Sequence, residues 1–242
     1  MRGQTYLRLE ILRTLRNRRF VLFSLVFPLA LFVMIAAPNR ALVVNGIGFP
    51  LYYMAGMTAW GSMSAVITSG ARIARERSVG WTRQLRTTPL TARAYVAAKV
   101  LTGYMMALLS ILVLAIAGTA LGVRLDVAQW ATLVTLLLLG LIPFAVLGVL
   151  LGHVVSVDSL GPVVSGVTSL FALLGGAFGP LVHSGVMVSV VKLLPSYWLV
   201  QAGHSIVGAG AWPGEAWIVV GVWTVLLTRL AVGVVRRDSA RA

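Results

Sequence analysis

VLTGYMMALLSILVLAIAGTALGV, residues Val100–Val123, runs for 24 residues without an Asp, Glu, Lys or Arg. A helix of about 20 apolar residues crosses the hydrocarbon core of a bilayer, and this run is longer. It lacks the period-two alternation of a barrel strand, so its backbone must be satisfied within a helix.

The rest of the chain repeats this pattern. Charge-free intervals cover Phe20–Asn39, Ala41–Ala71, Val127–Val157, Ser159–Val191, Leu193–Gly214 and Ala216–Thr228. Of the 242 residues, 59% are hydrophobic and 11% charged. Soluble domains hold about 25% charged residues, so a soluble globule is excluded; disorder, which needs low hydrophobicity and high charge, is excluded too. We expect a single all-α membrane domain over residues 1–242. Six spans are placed at Phe20–Ala37, Leu51–Ala71, Tyr95–Leu121, Trp130–His153, Leu160–Val182 and Ala216–Val235. Residues 183–213 carry Pro195, Ser196, Gln201, Gly203, His204, Gly208 and Pro213. They read as short re-entrant or interfacial helices on the outer side, with Tyr197, Trp198 and Trp212 at headgroup depth.

Charge orients this layout. The net charge is +14, from 20 Lys+Arg against 6 Asp+Glu. With both termini cytoplasmic, seventeen of the basic residues fall inside and only Arg40, Arg124 and Lys192 outside, which meets the positive-inside rule. A seventh crossing would move Arg236, Arg237 and Arg241 outside. The basic excess is therefore a matter of orientation, and no nucleic-acid partner is expected. The absence of cysteine excludes disulfides, thiolate nucleophiles and cysteine metal sites. Six arginines in the first 19 residues, without a convincing small-residue cleavage site, do not resemble a signal peptide. The expected location is the inner (plasma) membrane, multi-pass and in contact with lipid.

Two segments stand apart from the spans. Residues 1–19 form an amphipathic helix, with Leu7, Ile11, Leu12 and Leu15 at helical spacing among arginines. It serves as a topology anchor or as an elbow that braces a cytoplasmic partner. Residues 72–94 read RIARERSVGWTRQLRTTPLTARA. They include Glu76, a glycine at Gly80, a short helix predicted from Trp81 to Arg86 and a break before Pro89. Thr91 is placed to cap the next helix. The segment is either a solvated basic loop or a docking element for another protein.

The run Arg75-Glu76-Arg77-Ser78-Val79-Gly80-Trp81-Thr82-Arg83-Gln84-Leu85-Arg86-Thr87-Thr88-Pro89-Leu90, with Lys99 downstream, resembles the signature loop of type-2 ATP-binding-cassette exporter permeases of the daunorubicin-resistance type. Glu76-Arg77, Gly80, Leu85, Thr88-Pro89-Leu90 and Lys99 match its pattern; Arg83 stands where many relatives carry an acid. The amphipathic start, the six-span layout and Leu194-Pro195-Ser196-Tyr197-Trp198 extend the resemblance over nearly the whole chain. It implies that the loop is a coupling helix seated on a separate ATPase subunit. Arg75, Glu76, Arg77, Gly80, Trp81, Leu85, Thr88, Pro89 and Leu90 would contact or shape that interface, and ATP and Mg would be held by the partner.

The chain's own chemistry is sparse. Lys99 and Lys192 are the only lysines, and neither follows a glycine-rich phosphate loop. His153, His183 and His204 have no metal-ligand spacing, and no serine sits in a hydrolase frame. The spans hold no ionisable residue near a midplane, so a self-powered pump is disfavoured. This chain is therefore expected to be no enzyme and to bind no cofactor itself. A non-transporting scaffold or a lipid-processing enzyme are the rival classes. Candidate pathway residues are Met54, Met57, Thr58, Trp60 and Ser62 of the second span and Ser165 and Ser169 of the fifth. Methionine and aromatic walls suit hydrophobic or amphiphilic organic compounds such as drugs, antibiotics or lipid-like molecules. Gly175 and Gly179 are spaced for close helix packing. The expected assembly is a homodimer of permeases, with the small-molecule substrate moving between the copies.

Overall fold

The computed structural model describes residues 2–44, 46–81, 84, 87–88, 90–179, 186–206 and 211–240. Helix α1 (Arg2–Leu15) is followed by α2 (Arg18–Val21), a π-helical stretch (Leu22–Val26) and α3 (Phe27–Ala36). The helix breaks at Arg16–Asn17, and the chain then stays helical from α2 through the π-helical stretch into α3. The cause of the π-turn is Pro28, which has no N–H to give to the Ser24 carbonyl and would crowd it in a regular helix. The Ser110 hydroxyl donates to the Ser24 carbonyl instead, at 3.5 Å.

A two-stranded ribbon follows, β1 (Val43–Val44) antiparallel to β2 (Ile47–Gly48). The sequence predicts no strand here; Gly46, at φ +79°, supplies the left-handed residue of the tight connection. Then come α4 (Phe49–Ser78), α5 (Ala92–Ala120), α6 (Val127–Gly140), α7 (Ile142–Val154), α8 (Leu160–Leu174), α9 (Val186–Lys192), α10 (Pro195–Ser205) and α11 (Gly214–Ala240). Thr91 caps α5 by accepting from the Ala94 N–H. Asp126 and Gln129 form a reciprocal capping box on α6. The regular helix is interrupted at Leu141, two residues before Pro143, so α6 and α7 are two segments of one apolar path.

Helix α4 is the axis of the bundle. Its buried face meets α5 and α7 along most of its length, and α3, α8 and α10 over shorter stretches. Lipid tails offer helices no hydrophobic reason to associate, so close packing has to supply the attraction. The α4–α7 contact shows how. A Cβ on Gly148 would lie 2.6 Å from the Ile67 carbonyl oxygen, and one on Gly152 2.6 Å from that of Gly70. Only hydrogen at these positions lets the two backbones touch.

The all-α membrane class holds. Ala92–Ala120, Val127–Val154 and Gly214–Val235 are long and apolar enough to cross a bilayer. Ser24–Ala36 and Leu160–Leu174 are apolar but shorter. Helix α4 is long, yet rich in Gly, Ser, Thr and Tyr, because most of its surface meets protein.

Three expectations change. The second helix continues to Ser78, so Arg72–Ser78 is the last two turns of α4 and not loop, because Ile73, Ala74 and Glu76 are buried and hold it helical. The fifth stops at Leu174: Gly176 sits at φ +80°, and Val182 lies outside the described residues. Helices α9 and α10 fit short elements between α8 and α11, but Trp198 and Trp212 bury their rings in protein and do not face headgroups. Trp198 donates its indole N–H to the Lys192 carbonyl at 2.8 Å. Of the predicted helix Trp81–Arg86, Trp81 and Gln84 are helical and the other residues lie outside the described set.

The seam predicts a contrast between two chemically identical changes. Gly148→Ala should lower the thermal unfolding midpoint in detergent, at a cost of about 1–3 kcal/mol for overpacking. Gly166→Ala, with open space around its Cα, should leave the midpoint unchanged or raise it slightly.

Candidate functional site

Four charged residues from three helices gather where α1, α4 and α5 meet. The Lys99 ammonium, on the first turns of α5, is fully buried, with 0% exposure. It donates to Glu10 Oε1 of α1 and Glu76 Oε1 of α4, each at 2.6 Å. Both glutamates are only 4% exposed. Arg13 of α1 reaches Glu76 Oε1 at 3.2 Å, and the Tyr95 hydroxyl donates to Glu76 Oε2. Lys99 also lies 5.5 Å from the centre of the Tyr95 ring. Two carboxylates thus meet two cations, and every member has a partner from another helix.

Local sequence explains the convergence. Tyr95 and Lys99 are one turn apart on α5, and Glu10 and Thr14 one turn apart on α1, so each pair shares a face. The Ser69 hydroxyl of α4 donates to the Lys99 carbonyl at 2.8 Å, and Arg72 donates to the Thr14 hydroxyl at 2.6 Å. Arg77 donates to the carbonyls of Gly152 and His153, which end α7. This places a cation at the negative end of that helix. Beside the cluster, Ile73, Tyr95 and Val149 make a small apolar core on which Tyr6 and Leu90 rest. Burial pushes the Tyr6 phenol pKa upward, and the Glu76 and Glu10 carboxylates push it further.

Helix α1 is therefore clamped to α4 and α5 by buried ion pairs. Its polar Glu10 and Thr14 point into the protein, while Leu9, Leu12 and Leu15 point out. Glu76 and Arg77 are likewise turned inward. Arg75, Ser78, Val79, Trp81, Gln84, Thr87 and Thr88 are exposed and form the described part of a tip projecting beyond the cluster. Gly80, at φ +72°, lets the chain leave α4 there. The Thr88 hydroxyl accepts from the Leu90 N–H. Leu85 and Pro89 lie outside the described residues.

The residues read as a pathway are not brought onto one surface. Met54, Met57, Thr58 and Ser62 are buried among the helices of this chain. Trp60 is half-buried between Phe27 and Phe178, with ring centroids at 5.6 and 5.0 Å. Helix α8 turns Val164, Thr168 and Ala172 inward, leaving Ser165 and Ser169 exposed. Gly175 meets the Ser196 backbone closely, whereas Gly179 lies in a turn at φ +125° with nothing near its Cα. Among the described residues, no group of three His, Asp or Glu side chains could hold a metal ion.

Sequence reasoning missed Glu10, Arg13, Thr14 and Tyr95, and valued Lys99 only as part of a pattern. One signal was present: Glu10 and Glu76 are the only acids in the first 125 residues. Such rarity in a membrane chain points to pairing.

A family model described as ABC-2 family transporter protein matches residues 47–234. The transport permease YvfS of Bacillus subtilis (strain 168) is 32% identical over 206 residues, which cover 84% of this chain and 81% of the relative. The chain belongs to the ABC-2 family of transporter membrane proteins, and it is a permease-type membrane subunit. An ABC ATPase is the general partner of that family.

The cluster yields a sharp expectation. Lys99→Met strands Glu10 and leaves Glu76 short of its main counter-ion, and removing one member of a buried pair costs about 3–5 kcal/mol. Thermal unfolding of the purified chain should show that loss. The triple change Lys99→Met, Glu10→Gln, Glu76→Gln should recover much of it.

Proposed function

We propose that this chain is the membrane subunit of an ATP-driven exporter of the daunorubicin-resistance type. Two copies face one another, and the compound moved is hydrophobic or amphiphilic: a drug, an antibiotic or a lipid-like molecule. The ATPase is a separate polypeptide that holds ATP and Mg. It docks on the tip formed by Arg75, Val79, Gly80, Trp81 and Thr88, and the family resemblance adds Leu85 and Pro89 to the residues that recognise it. The basic end is cytoplasmic, both termini lie there, and six spans cross the inner membrane.

The observation that carries this reading is the seat beneath the tip. A segment that only reversed the chain would need no buried Glu10–Lys99–Glu76 cluster behind it. Here the tip emerges from α4 at the point where Glu76 and Arg77 tie that helix to α1, α5 and α7. A push on the tip is therefore delivered to four helices together. Glu76, Arg77 and Leu90 shape the docking surface from behind, and Arg75, Val79 and Trp81 touch the partner. The exposed serines of α8, Ser165 and Ser169, face the second copy and border the path. Met54, Met57, Thr58, Trp60 and Ser62 form the wall behind it, exposed to substrate as the helices separate.

Purification together with any ABC ATPase encoded beside this gene tests the assignment. Val79→Ala combined with Arg75→Gln should abolish co-purification and leave the permease unfolding midpoint unchanged, since both side chains are exposed. Undiminished capture of the ATPase by this variant would count against the docking site. Glu76→Lys should uncouple the complex, and normal compound-stimulated hydrolysis in that variant would refute the lever. A screen for amphiphilic compounds that raise hydrolysis would then identify the substrate class.

A further inference from the structure

We propose that the outward face of α1 is a docking surface for anionic phospholipid, and that a lipid phosphate competes with Glu76 for the Arg13 guanidinium. Three observations lead to it. Leu9 is 60% exposed, and Leu12 and Leu15 are exposed beside it, a face unsuited to water. Arg8 and Arg13 are exposed along the same helix, and Arg16 is exposed in the turn that directly follows it. Glu10 is the only acid before Glu76, and it is buried against Lys99. No carboxylate of this segment is left to neutralise the outward arginines. Leucines that enter the acyl boundary beside arginines at phosphate depth fit an anionic bilayer surface. The helix is joined through α2 to an apolar segment, Leu22 onward, which holds it close to the bilayer.

Arg13 is where this surface meets the cluster. Its side chain is 63% exposed although it bonds a carboxylate that is 5% exposed. If Arg13 turns to a phosphate, Glu76 keeps Lys99 and Tyr95 as partners, so no buried charge is orphaned. The exchange therefore avoids the penalty that makes breaking most buried pairs so costly. Lipid charge is read at the carboxylate that fixes α1 to α4. The contact itself does not depend on the transport reading given above.

The test uses the full chain alone, without any ATPase, in nanodiscs of phosphatidylcholine with or without phosphatidylglycerol. The chain contains no cysteine, so Leu12→Cys gives a single site for a spin label. The label should be accessible to oxygen and shielded from a water-soluble nickel complex. Phosphatidylglycerol should be retained on purification above its bulk share, and Arg8→Gln with Arg16→Gln should lower that excess about fivefold per arginine. Arg16→Lys, which keeps the charge, should retain it. A double-mutant cycle of Arg13→Gln and Glu76→Gln should show coupling in phosphatidylcholine and none in the anionic mixture. A label in contact with water, an excess unchanged by the double variant, or coupling equal in both lipids would overturn the proposal.

Discussion

One ammonium group organises the basic end of this molecule. Lys99 is sealed between Glu10 and Glu76 with no exposure to solvent, and taking any one of these charges out of water alone would be prohibitive. Each can be buried only because the others are already in place. The three helices that carry them must therefore arrive together, and their relative positions at this end are set by hydrogen-bond lengths. Elsewhere the bundle is held by shape: glycine against backbone along α4 and α7, and aromatic rings edge to face around Trp60. Shape packing permits several similar arrangements, whereas a closed set of ion pairs specifies one.

This division of labour gives the chain two kinds of surface at its charged end. Most of the residues that bind one helix to another, Glu10, Glu76 and Lys99 among them, are withdrawn from solvent, and Arg75 and Val79 are left outside. Glu76 and Arg75 are neighbours in sequence, yet one is spent inside the fold and the other is exposed, as the geometry of a helix requires. The distinction matters for reading variants. A change at Glu76 or Lys99 alters the platform, and a change at Val79 or Trp81 alters what stands on it.

Much of the fold was legible in the sequence because the bilayer imposes strong rules. Long uncharged runs gave the all-helical class, and Thr91 announced the start of α5. The ends of helices were less legible where tertiary partners override local signals. Arg72–Ser78 looks polar enough to be loop, but Glu76 finds Lys99 across 23 positions and the helix continues. Trp198 and Trp212 carry the composition of an interfacial belt, yet partners elsewhere in the chain enclose them. The exposed tip could be read from its motif. The cluster beneath it could not, since Glu10 and Lys99 are 89 residues apart and only packing brings them together.

The interruption at Leu141 has a mechanical corollary. Pro143 interrupts the hydrogen-bond ladder between two segments with different neighbours: α6 leans on α10, while α7 is sealed to α4 and touches α11. A continuous rod would carry any tilt of its lower half straight to its upper half. A jointed one absorbs rotation at the break, so that α7 can follow α4 while α6 keeps its place against α10. Filling the joint with a residue that restores the ladder would stiffen the path and tie together motions that the native chain keeps separate.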